Sequence, residues 1–340
     1  MRYIFLLAVL IVSCSEQQIP RTFTSVGIET IYTDSISIRA IELMGNSLAF
    51  AANKGTFGSV DLTTDKVRAN IEKYHTSLPA FRAVAHTAND FFMLSIESPA
   101  LLYKTGVNGR MELVYKEEGE GVFYDAMTFL NDLDGIAVGD SVDGCISVIM
   151  TSDGGNSWSK LPCSKLPEEI ESEGAFAASN TNIETVGENI WIATTSGRVL
   201  FSPDKGNSWE SFQTPIRNEE PTEGIYSIDF NDKNLGFAIG GDYTNPDNTI
   251  ANKAITKDGG KTWNLLADGL EPGYKSCVQF VPGTLGNDLV AVGFTGISYS
   301  SDMGKSWKEL SEESFYTIRF QNDTIAYAAG KNRISKLVFN

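Results

Sequence analysis

Thr151-Ser152-Asp153-Gly154-Gly155-Asn156-Ser157-Trp158 decides the fold, because three later stretches repeat it. They are Ser202-Pro203-Asp204-Lys205-Gly206-Asn207-Ser208-Trp209, Thr256-Lys257-Asp258-Gly259-Gly260-Lys261-Thr262-Trp263 and Ser300-Ser301-Asp302-Met303-Gly304-Lys305-Ser306-Trp307. Each has Ser or Thr, then Asp two residues on, Gly two further, and Ser/Thr-Trp at the end. This composition describes a hairpin turn. The carboxylate accepts from backbone N–H groups, the glycine takes positive φ, and the tryptophan folds back over the strands. The aspartates recur at intervals of 51, 54 and 44 residues.

A second repeat surrounds the first. Seven segments open a strand in one register: Arg39-Ala40-Ile41, Arg82-Ala83-Val84, Asp125-Ala126-Met127, Ala177-Ala178-Ser179, Tyr226-Ser227-Ile228, Ser276-Cys277-Val278 and Tyr316-Thr317-Ile318. The middle residue is always small, and the mean interval is about 46 residues, the length of one four-stranded propeller blade. Small residues suit innermost strands that converge on an axis. The expected fold is therefore all-β, a single seven-bladed β-propeller over residues 22–340. Apolar second strands such as Gly135 to Gly139, Gly236 to Gly240 and Leu289 to Gly293 fit it, and only Pro167 to Glu173 suggests a helical turn. The last blade lacks a fourth strand, which Thr22 to Tyr32 is expected to supply by pairing with the C-terminus and closing the ring.

The chain has 340 residues, a net charge of −16 and 42% hydrophobic residues, enough for a sizeable core. No dense Lys/Arg run offsets the acidity, so nucleic acid is not an expected partner. With two histidines and neither HExxH nor paired CxxC spacing, zinc chemistry and most Ser-His triads are excluded. No cofactor or metal is expected.

The N-terminus has the form of an address. A short basic start and the apolar run Ile4 to Val12 make a secretory signal too short to stay as a membrane span. Leu10-Ile11-Val12-Ser13-Cys14 resembles the bacterial lipobox, which implies cleavage after residue 13 and lipidation of Cys14. Residues 1–13 are thus expected to be a lipoprotein signal peptide and 14–21 a tether. The mature chain would be a monomer held by lipid in the cell envelope, outside the cytoplasm.

The turn motif is identified as the Asp box, or bacterial neuraminidase repeat, in which Asp153, Trp158, Asp204, Trp209, Asp258, Trp263, Asp302 and Trp307 would be structural. Gly135 to Asp140 leading to Thr151–Trp158 resembles the repeat of the photosystem II stability and assembly factor family, seven-bladed propellers that also occur in non-photosynthetic bacteria. The resemblance spans roughly residues 30–339 and implies a non-catalytic binding or assembly role toward a protein or glycan. Topology places the first register positions around the channel mouth opposite the Asp boxes. Arg39, Arg82, Asp125, Tyr226 and Tyr316 are accordingly the candidate ligand-binding residues, since guanidinium forks bind carboxylates bidentately. They serve equally well to solvate a water-filled channel.

The alternative is a sialidase-like glycoside hydrolase, a distant resemblance that requires three arginines, a Tyr/Glu pair and an acidic donor. Its third arginine would be Arg198 or Arg319, neither in the register of Arg39 and Arg82, and Phe81-Arg82-Ala83-Val84 lacks that family's proline. Catalytic residues are therefore assigned to none. On the same face, Asp140 to Gly144 and Gly241 to Lys253 are expected as long loops. Glu168, Glu169, Glu171, Glu173, Glu219, Glu220 and Glu223 form an acidic collar suited to a cationic partner, to calcium, or simply to solvent. Of the four cysteines, Cys277 sits at a small inner-strand position and is expected to be a buried thiol. Cys145 and Cys163 flank the first turn closely enough for a disulfide in an oxidising compartment.

Overall fold

The computed structural model describes residues 22–340 apart from 107, 108 and 169. The signal stretch 1–13, Cys14 and the tether up to residue 21 lie outside the described residues.

Short runs of apolar and small residues build antiparallel strands in chain order, and Phe91–Ser95, Gly236–Gly240 and Leu289–Gly293 are buried along their whole length. Ile225–Phe230, Gly236–Gly240, Lys253–Thr256 and Asn264–Leu265 form one four-stranded meander. Four further meanders have the same plan. The core lies between neighbouring sheets: Phe92, Leu94 and Leu102 of one pack with Met127, Ala137, Ile149 and Trp158 of the next. Burying both faces of each sheet in this way makes the chain an all-β propeller.

Against the seven blades expected from the sequence, the described residues form six sheets, five of four strands and one of six. Two long strands account for the difference. Val26–Met44 pairs with Ile325–Phe339 from Val26↔Phe339 to Ser37↔Lys331, then passes on to pair with Ser47–Ala52 from Ile38 onward. The front of Ile325–Phe339 pairs with Thr317–Phe320. The terminal strands thus join, and Asn340 N–H donates to the Ser25 carbonyl at 3.0 Å.

The four Asp turns share one bonding scheme. Asp153 Oδ1 accepts from the Ser157 amide at 3.0 Å and from the Thr151 hydroxyl at 2.8 Å, while Thr151 Oγ1 accepts from the Gly155 amide at 3.0 Å. Asp204, Asp258 and Asp302 accept from the amides of Ser208, Thr262 and Ser306 at 2.8, 2.9 and 2.9 Å. Bonds led by the Ser157 hydroxyl hold the Asp153 carboxyl down at about 2. The glycines serve twice. Gly304 has φ +83°, and a Cβ there would lie 2.3 Å from Phe237 in the preceding sheet. Trp209, Trp263 and Trp307 close the turns by donating to the carbonyls of Gly206, Gly260 and Gly304. Trp191, outside the motif, is fully buried and stacks on Phe230 at 3.8 Å.

One segment departs from the expected register. Ala177-Ala178-Ser179 does not begin a strand, because the strand starts at Ile183. Before it the chain turns tightly, with Ala178 N–H donating to the Phe176 carbonyl at 2.6 Å and Asn180 left-handed at φ +60°. Residues 176–182 then bond across the axis to the inner strands of the rest of the ring. Asn180 Nδ2 donates to Val84 O at 2.8 Å and its Oδ1 accepts from Met127 N at 2.9 Å. Ser179 Oγ donates to Ser276 O, Thr317 Oγ1 donates to Ser179 O, and Thr181 bonds Ser227. At this level the axis holds chain, not an open water channel.

Candidate binding site at the propeller mouth

Above the 176–182 segment lies a cavity of about 360 Å³, lined by Arg39, Arg82, Phe176, Tyr226, Tyr274 and Tyr316, with Tyr243 and Phe294 at its lip. Four of the five candidate residues meet there. The fifth, Asp125, does not line it: the side chain is fully buried, and neither carboxylate oxygen has a hydrogen-bond partner among the described residues. The same register position points inward here because the neighbouring segment 174–178 covers it.

The cavity has two chemically distinct walls. On one, Arg39 lies over the Tyr316 ring at 4.2 Å, a cation–π contact, and donates to Ala178 O at 3.4 Å. Arg82 donates to Ala177 O at 3.5 Å. Neither guanidinium forms an ion pair with a described residue, and both bonds are long. Burial, then the like charge of Arg39, lowers the Arg82 pKa from its ordinary value. The other wall is aromatic. Phe176 stacks on Tyr226 at 3.7 Å, Tyr274 meets Tyr226 edge-on at 4.8 Å, and Phe294 lies 5.1 Å from Tyr274. The Tyr226 hydroxyl donates to Thr222 O at 2.8 Å, and burial raises its pKa. Two half-buried cations beside an apolar wall can take an anionic group attached to something flat or greasy.

Phe176, Tyr243, Tyr274 and Phe294 were not legible as site residues from the inner register. A usable signal existed. The second strands Gly236–Gly240 and Leu289–Gly293 end in glycine, and the residues just after them reach the mouth, as Phe294 does after Gly293 and Tyr243 after Gly240-Gly241.

The two further arginines weighed for a hydrolase site, Arg198 and Arg319, are committed elsewhere. Arg198 Nε donates to Glu173 Oε1 at 2.7 Å in a buried pair. Arg319 bonds Glu42 at 3.3 Å, Ile318 O at 2.9 Å, Thr317 Oγ1 at 3.1 Å and Asn180 O at 3.3 Å. It borders a second cavity, of about 260 Å³, on the far side of Asn180, together with Glu42, Glu184 and Asp229. Burial raises the pKa of both Glu184 and Asp229, and the Asp229 charge raises Glu184 further. The three-arginine arrangement of the hydrolase alternative is therefore not assembled among the described residues, and no carboxylate lines the mouth cavity.

The rim also differs from expectation. Asp140 to Gly144 is no long loop: Gly135–Val142 pairs with Cys145–Thr151 through a two-residue turn at Asp143 and Gly144, both at positive φ. Of the acidic collar, Glu173 and Glu223 are buried and paired with Arg198 and Arg217. Glu168, Glu171, Glu219 and Glu220 are exposed, and Glu169 lies outside the described residues. Among the described residues no group of three or more acidic, His or Cys side chains is placed to hold a metal ion. Cys145 and Cys163 form a disulfide with Cα atoms 5.5 Å apart, and Cys277 is a buried thiol. No described helix is long and apolar enough to cross a membrane.

A family model described as Sortilin, neurotensin receptor 3 (Sortilin-Vps10) matches residues 146–279. No curated protein matches the chain. Solved structures of similar shape include YCF48 bound to D1 peptide, with TM-score 0.67, 12% identity, and coverage of 97% of this chain and 100% of that one. YCF48 from Cyanidioschyzon merolae has TM-score 0.63 and 13% identity, covering 93% of this chain and 99% of that one. The RRP9 WD40 repeats have TM-score 0.67 and 11% identity, covering 94% of this chain and 100% of that one. At these identities the shared property is the fold, a β-propeller.

Proposed function

We propose that this chain is a non-catalytic protein-binding propeller whose mouth cavity receives a partner segment bearing an anionic group next to an apolar or aromatic one. The observation that carries this is the pairing of two guanidinium groups, free of ion pairs among the described residues, with the Phe176–Tyr226–Tyr274 wall in one cavity. A carboxylate bound in place of the long contacts to Ala177 and Ala178 gains charge-assisted bonds worth more than neutral ones. That YCF48, of similar fold, has been solved with a D1 peptide supports a protein partner over a glycan.

The six-stranded sheet divides into two blades. We read residues 317–320, 326–329, 331–339 and 26–37 as one and 38–44 with the three following strands as the other, a division that the change of pairing partner at Ser37 and Ile38 supports. The mature chain begins at a lipidated Cys14 and works outside the cytoplasm, a placement that the Cys145–Cys163 disulfide supports. Crosslinked capture of partners from membranes, comparing wild type with Arg39→Ala/Arg82→Ala, tests the site. Loss of one or more partners is expected, and an unchanged partner list would sink the assignment.

A further inference from the structure

Beneath the mouth, Asp125 has no obvious task. It is fully buried, and among the described residues neither oxygen has a hydrogen-bond partner and no cation forms an ion pair with it. It stands on Tyr124–Phe129, with Arg82 facing it from Phe81–His86 and Asp140 from Gly135–Val142. The covering segment 174–178 turns the amides of Ala175 and Ala177 toward Asp125, where they favour its charged form without closing a full hydrogen bond. Glu173 at its start is committed to Arg198. Asp140 is itself half enclosed: Ala175 N–H donates to its Oδ1 at 3.3 Å, and a Cβ on Gly174 would lie 1.9 Å from that atom. Arg82 in turn feels Arg39, Glu97 and Tyr316. Asp125 is thus coupled to the mouth through a single cation that it attracts but does not touch.

We propose that Asp125, backed by Asp140, makes anion binding at Arg82 proton-linked, so that the mouth takes up a proton when it takes up an anion. This rests on the mouth being the anion-accepting cavity proposed above. An anion docked on Arg82 cancels the nearest positive charge that favours ionised Asp125 and adds a negative one. The proton then binds Asp125 more tightly. By reciprocity the anion binds more tightly to protonated protein. Burial, with Asp140 adding repulsion, already holds the Asp125 pKa well above the carboxylate range, and burial pushes Asp140 up to about 6. Affinity therefore falls as pH rises through the range in which Asp125 loses its proton, even for a ligand whose own charge is constant.

Naphthalene-2-sulfonate is such a probe, an aromatic anion that does not titrate between pH 5 and 8. Titration calorimetry in two buffers of different ionisation enthalpy counts the protons taken up. Wild type is expected to take up protons on binding and to bind roughly three- to tenfold more weakly at pH 8 than at pH 5.5, within the tenfold per unit that one proton allows. Asp125→Asn is expected to bind equally at both pH values. Binding that requires the arginines but carries no proton overturns this inference alone, as does a pH dependence that survives in Asp125→Asn. Binding undiminished by Arg39→Gln/Arg82→Gln, or none at any pH, overturns the mouth assignment and this inference with it. Should Asp125→Asn fail to fold, proton uptake by the wild type decides.

Discussion

The two cavities on either side of residues 176–182 are both built around arginines from inner strands, yet those arginines do opposite work. Arg319 is 8% exposed and spends its donors on Glu42, Thr317, Ile318 and the Asn180 carbonyl, tying the axial segment to the ring. Arg39 and Arg82 donate to Ala178 and Ala177 only at 3.4 and 3.5 Å, and no described carboxylate pairs with either. Charge alone does not mark a binding residue. What marks it is charge whose hydrogen-bonding capacity the fold has left unused.

Deleting Lys336 to Asn340 removes the partners of Val26 to Glu29 and the Phe339 contact with Phe23, and should abolish cooperative melting of the whole ring. A normal calorimetric transition would show that the ends do not close it. Arg319→Met should cost about 3 kcal/mol, because it strips partners from Glu42 and the Asn180 carbonyl; a loss below about 1 kcal/mol in urea would erase the distinction between the cavities. Asn180→Ala leaves Val84 O and Met127 N without their bonds and places alanine at positive φ, for about 2–3 kcal/mol by the same measurement.

Glu184→Gln sharpens the contrast through pH. The Glu184 pKa is raised in the folded state, so the native protein binds more protons than the unfolded chain and loses stability as pH rises above the ordinary carboxylate range. The variant should therefore melt a few degrees above wild type at pH 8 and close to it at pH 4.5. Equal melting points at both pH values would remove the carboxyl pair from the account. Arg39→Gln and Arg82→Gln should change stability least, within about 1 kcal/mol, since each loses only long bonds.

Much of the fold was legible because its signals are local. The Asp153, Asp204, Asp258 and Asp302 turns need only their own eight residues, and Ala40, Ala83, Ala126, Ser227, Cys277 and Thr317 are small because inner strands crowd together. Ala178 matched that pattern in letters alone. Its segment turns at Phe176 and Asn180 and takes its partners from six other inner strands, a long-range choice that no local periodicity encodes. The site was half legible for the same reason. Arg39, Arg82, Tyr226 and Tyr316 follow from register, whereas the burial of Asp125 and the arrival of Phe176 and Tyr274 depend on where the axial segment lies. The merging of two expected blades through Val26–Met44 and Ile325–Phe339 likewise reflects continuous long strands whose pairing changes partner midway.

The most direct test measures stability and partner capture together for Arg39→Gln/Arg82→Gln and for Arg319→Met. The double variant should keep the wild-type melting temperature and lose its membrane partner, whereas Arg319→Met should melt well below wild type. A double variant that captures the same partners as wild type, or that unfolds as readily as Arg319→Met, would contradict the assignment of the mouth as the binding site.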